Sequence, residues 1–196
     1  MNYLVAFSFS ALFGLFGIID HQEANSFNDV VTLTDTFNVN TLPLSTVDLG
    51  VYPYIKAPQY TKFINNVKVI DFDANVFVTA DSIFEIEGKV FRAWIHNDRT
   101  SDFEVSNRYI NKELEAQILK LGGVKVYEGS LAGERLKTYN NLVSYSGADG
   151  SFIPANNTKI VTYAIRHESG NIYICLEKTS LQTSSFQIVQ EAPEKK

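Results

Sequence analysis

One amphipathic helix set among strand-like runs constrains this chain more than any other feature. Ser101-Asp102-Phe103-Glu104 has the form of a capping box, in which the Ser101 hydroxyl accepts from an amide near Glu104 while Glu104 reaches back. From there to Leu121, Phe103, Ile110, Leu114, Ile118 and Leu121 fall on one face, with Lys112, Glu113, Glu115 and Lys120 mostly outside it. Gly122-Gly123 then ends the helix by offering a left-handed cap. Strand texture surrounds it: Val67 to Thr79 and Ile83 to Ile95 with a reversal at Ala80-Asp81-Ser82, then Val124 to Tyr127, Thr158 to Arg166, Asn171 to Lys178 and Ser185 to Gln190. His167-Glu168-Ser169-Gly170 reads as a hairpin turn, and Gly88 inside a strand marks a bulge or a close backbone approach. Leu131 to Tyr139 is weakly helical, and Tyr145 to Asn157 is a loop. These runs predict an α+β fold: a single domain with a mixed or mostly antiparallel sheet and one main amphipathic helix packed on one face. The order strand, helix, strand around residues 83–127 further predicts a right-handed crossover onto one sheet.

The N-terminus obeys a different logic. From Tyr3 to Ile19 there is no charge, and Leu, Phe, Val, Ala and Ile dominate until Asp20-His21-Gln22-Glu23 ends the run. Ala24-Asn25-Ser26 supplies the small residues a signal peptidase requires, so residues 1–26 read as a signal peptide cleaved before Phe27. The n-region lacks Lys and Arg, which keeps a retained N-terminal membrane anchor as the alternative. Residues 27–48 read as a linker or peripheral strand, 49–190 as the domain and 191–196 as a polar tail.

Composition then excludes several classes of function. The formal charge of -5 is scattered, without the basic face that nucleic acid demands. A single cysteine, Cys175, rules out an internal disulfide, and its strand neighbours mark it as a small buried hydrophobe. No metal-binding spacing or phosphate-cradling loop is present, so no metal or cofactor is expected.

Catalysis finds little to work with. His167 lies in the expected turn, and no Gly-x-Ser-x-Gly elbow exists. His96-Asn97-Asp98-Arg99 is the most polar cluster beside a strand end; it is either a loop that caps the following helix or the base of a small hydrolase. Asp71 with Asp73 and Glu85 with Glu87 should share strand faces and form solvated edges. Tyr52, Tyr54, Tyr60 and Trp94 either pack into the domain or line a binding groove; together with His96, Asp98 and Arg99 they are the candidate binding residues. Pro53 and Pro58 keep the segment around the first three tyrosines extended.

Several phrases recur in order: Asp48-Leu49-Gly50-Val51-Tyr52-Pro53-Tyr54, the Phe72 to Phe77 strand, Glu87-Gly88-Lys89-Val90, the run Leu121 to Gly129, and Phe186 to Glu191. Over residues 48 to 191 they resemble the region that precedes the OmpA domain in OmpA-family (OmpA-OmpF porin type) envelope proteins of Gram-negative bacteria. The resemblance implies an exported protein of the periplasm or cell envelope, associated with the outer membrane, in a non-enzymatic accessory role. It carries over no catalytic residue. The peptidoglycan-gripping domain of that family has no counterpart in residues 27–190, so no peptidoglycan binding is expected, and the partner is an envelope protein or a small ligand.

Overall fold

A computed structural model describes residues 37–64, 68–143, 154–178 and 184–192. The proposed signal peptide, residues 27–36 of the linker and most of the 145–157 loop lie outside the described residues. Eight strands and two helices are present among them: β1 (Leu44–Ser45), β2 (Thr61–Ile64), β3 (Val69–Val78), β4 (Ile83–Asn97), α1 (Asn107–Lys120), β5 (Val124–Leu131), α2 (Gly133–Leu142), β6 (Thr158–His167), β7 (Ile172–Glu177) and β8 (Ser184–Gln190). A single 3-10 turn, Val39–Thr41, precedes them. The fold is α+β, with one mixed sheet: β1 runs parallel to β6 and every other pairing is antiparallel.

Two long strands organise the sheet. β4 pairs β8 on one edge, while β2 and β3 share its other edge end to end. β6 pairs β7 on one edge and is shared by β5 and β1 on the other. The order across the sheet is therefore β2/β3, β4, β8, β7, β6, β5/β1, and β8 lies between the two halves. By this alternation β5 runs parallel to β4, as a strand-helix-strand unit requires, although three strands separate them.

The central strands are buried on both faces, and alternation assigns each residue a side. On one face Phe91, Ala93, Ile95, Val161, Tyr163, Ile165, Ile174, Phe186 and Ile188 meet α1 through Ile110, Leu114 and Ile118. On the other, the β3–β4 hairpin turns back over the sheet. Phe77, Ile86 and Val90 pack there with Ala164, Tyr173 and Val189, and Val76 and Val78 with Ile160, Cys175 and Tyr139 of α2.

The hairpin turn is tied by Thr79, whose hydroxyl meets Asp81 at 2.7 Å and receives the Ser82 amide at 3.0 Å. A bulge between Ile70 and Asp73 sits opposite Gly88, so the bulge and the glycine share one locus. Gly88 also permits a close approach: a Cβ there would lie 2.1 Å from the Gln190 carbonyl oxygen.

Helix α1 begins later than the capping box suggests. Ser106, not Ser101, caps it by accepting from the Tyr109 amide at 3.3 Å. Ser101 instead accepts from Phe103 N, and the Asn97 side chain clasps Val105 through both its amide and its carbonyl. These bonds hold residues 98–105 as a loop, and Phe103 is left exposed rather than on the helix face. At the other end Gly122 takes φ +85, and Ser45 closes the turn by donating to the Leu121 carbonyl at 2.8 Å.

Candidate functional site

Tyr52 and Tyr54 are packed into the domain. They flank Pro53, whose bond to Tyr52 is cis, meet edge to face at 5.1 Å, and pack against the α1-side core. The Tyr52 hydroxyl lies 2.8 Å from the Lys89 carbonyl and 3.0 Å from that of Ile188, while Tyr54 donates to Gln190 Oε1 at 2.7 Å. Burial pushes both phenols above their ordinary range. Tyr60 packs against Phe103 with the rings tilted at 38° and 5.0 Å apart. Trp94 sits on β4 between Ile64 and Ser185, on the side of the sheet away from the Tyr52 and Tyr54 cluster. The four aromatic residues thus fall in three places: Tyr52 with Tyr54, Tyr60 with Phe103, and Trp94 on the other side of the sheet.

The polar loop is a clasp between strands and helix. Asp98 accepts from the Thr100 amide at 3.0 Å, the Thr100 hydroxyl at 2.8 Å and Lys62 Nζ at 3.2 Å, and these bonds, the Thr100 amide first, hold its carboxyl below the usual range. His96 lies opposite Lys62 in the β2–β4 pairing; partial burial, then the nearby Arg99 charge, lowers its pKa.

His167 offers a nearer imitation of a catalytic pair, with Nδ1 2.8 Å from Ser169 Oγ and Nε2 3.2 Å from the Val47 carbonyl. Yet Nδ1 also receives the Ser169 amide at 3.1 Å, and both residues belong to the exposed β6–β7 turn. The arrangement closes a turn.

The carboxylates part company. The bulge places Asp71 almost fully exposed, 3.8 Å from Lys89, whereas Asp73 meets Arg92 Nη1 at 2.8 Å. Arg92 was not singled out by its sequence context, which reads as a polar residue in an alternating strand. Its side chain is 1% exposed, and it also donates to Asn75 Oδ1 at 2.8 Å and to the Ala74 carbonyl at 2.6 Å. Pairing registers align it in one row with Gln187, Cys175 and Thr162, all buried on the face that β3 crosses. Thr162 donates to the Val78 carbonyl at 2.6 Å.

Glu85 and Glu87 do share a face, and with Phe72, Asp73, Ala74, Asn141 and Leu142 they line an open depression of about 470 Å³. Neither glutamate has an ion pair among the described residues. Phe72, swung out by the bulge, is 72% exposed at its rim. With Asp73 offset by Arg92, the depression presents two uncompensated carboxylates beside an aromatic ring. Chemically this suits an ammonium or guanidinium group carried on an apolar stem. Among the described residues no three metal-ligating side chains converge, and no helix is long and apolar enough to cross a membrane.

Comparison with family models, curated proteins and solved structures found no match to this chain, so the chemistry of the site is argued from its geometry.

Proposed function

We propose that this is a non-catalytic binding domain of an exported chain, working in the periplasm or cell envelope, with α1 as the main helix closing one face of its sheet. Its partner in this reading is a protein that presents a basic, partly apolar segment. The observation that carries it is the depression beside Phe72, where Glu85 and Glu87 stand without counter-charge among the described residues. The reading is supported by two polar side chains that serve the fold: Asp98 clasps a loop and His167 closes a turn. The charge of -5 favours encounter with a cationic partner over an anionic one.

The test is fluorescence titration of the domain with a lysine- and leucine-containing peptide and with its glutamate counterpart. Binding of the basic peptide should weaken as salt rises and fall by about tenfold or more in Glu85→Gln/Glu87→Gln, as expected for the loss of two charged contacts. Equal binding of both peptides, or an unaffected double variant, would sink the assignment.

A further inference from the structure

The distal half of the β3–β4 hairpin belongs to the sheet only through itself. β8 pairs with β4 from Lys89 onward, so among the described residues Ala74–Val78 and Ile83–Glu87 hydrogen-bond as strands only with each other. The arm leaves the sheet where the Ile70–Asp73 bulge faces Gly88, and then lies across the row formed by Arg92, Gln187, Cys175 and Thr162.

We propose that this arm is a hinged strap, pivoting at the bulge and Gly88, which opens as a unit while the rest of the domain stays folded. Two arginines latch it closed. Arg92 holds the base through Asp73, Asn75 and the Ala74 carbonyl; Arg135 of α2 holds the tip, with Nη1 2.7 Å from the Ala80 carbonyl and Nη2 2.5 Å from that of Thr79. Each latch contains a defect. Asn75 Nδ2 and Arg135 Nε are buried and have no hydrogen-bond partner among the described residues. Opening would give both donors to water, which offsets part of the cost of separating the strap from its bed. It would also dismantle the depression, whose walls are the strap residues Ala74, Glu85 and Glu87 on one side and Asn141 and Leu142 of α2 on the other. The inference goes beyond the docking reading and does not depend on it.

Cys175, buried in one cluster with Val76 and Val78 of the strap, is a built-in reporter. Its reaction with a thiol reagent should be followed under native conditions at increasing urea, beside global unfolding read from Trp94. A strap that opens locally gives a labelling rate with a much shallower urea dependence than global unfolding. Arg135→Ala should accelerate labelling by about tenfold or more, the factor expected from losing two hydrogen bonds to a charged donor. Ile118→Val supplies the contrast. It weakens α1 packing, which both the closed and the open forms retain, so it should lower global stability and leave the labelling rate unchanged. Labelling that shows the full urea dependence of global unfolding, and that accelerates in Ile118→Val, would overturn the strap.

Discussion

Replacing Asp73 with asparagine keeps an acceptor for Arg92 and removes only the charge, so it isolates the worth of the ion pair. Arg92 is 1% exposed, and a buried cation stripped of its partner typically costs about 3–5 kcal/mol. Asp73 is 35% exposed, so water can reach the vacated position, and the neutral acceptor remains; the cost falls to about 1.5–3 kcal/mol. A double-mutant cycle with Arg92→Met should give a coupling energy in that range, because the second substitution removes the charge that the first one stranded. The control is Lys62 with Asp98, whose side chains are 47% and 32% exposed. Its coupling should be clearly smaller and should shrink in 1 M salt, while that of Asp73 with Arg92 persists. The assay is urea denaturation followed by Trp94, with unchanged slopes as the condition for comparing midpoints. A coupling no larger than that of Lys62 with Asp98, or one that vanishes equally with salt, would show that the guanidinium is hydrated and the burial argument wrong.

Leu114→Asp should cost more than about 3 kcal/mol by denaturant titration, because it places a carboxylate at a fully buried position against the sheet. Burial raises the Glu177 carboxyl above its ordinary range, so its ionisation opposes folding as pH rises through the folded value; Glu177→Gln should raise the unfolding midpoint at pH 7 and leave it unchanged at acid pH, where both side chains are neutral. Lys178 first, and Lys125 second, hold Glu128 down to about 2 from the ordinary 4.5. That depressed group stabilises the fold above about 4.5 and loses its contribution as pH falls toward 2, by under about 1 kcal/mol at this exposure, a loss that Lys178→Met should blunt in acid-unfolding curves. N-terminal sequencing of exported material should begin at Phe27; retention of Met1 to Ile19 would replace cleavage with an anchor.

Local patterns told truly where local chemistry decides. Ile110, Leu114 and Ile118 declare a core face by their spacing alone, the 79–82 and 167–171 turns follow from their polar residues, and Gly88 announces its crowded backbone. The helix start is ambiguous in the sequence because Ser101 and Ser106 are both competent caps; what separates them is Asn97, four residues before the first and nine before the second, which claims Val105 for the loop. Arg92 was illegible for a stronger reason. Nothing in Phe91-Arg92-Ala93 says that β3 will cross above it, since that depends on the hairpin folding back over strands made much later in the chain. Tyr52 and Tyr54 likewise find partners 136 residues away at Ile188 and Gln190, beyond any window of periodicity.

The position of β8 bears on when this molecule can become itself. Among the described residues β8 is the strand that joins β4 to β7, so a chain cut short at residue 183 holds two half-sheets with no shared partner. The α1 face and the strap bed both depend on that seam, through Phe186 and Ile188 on one side and Val189 on the other. A chain that lacks β8 therefore has no partner in common for its two half-sheets, and neither core face can close across the middle until that strand is in place.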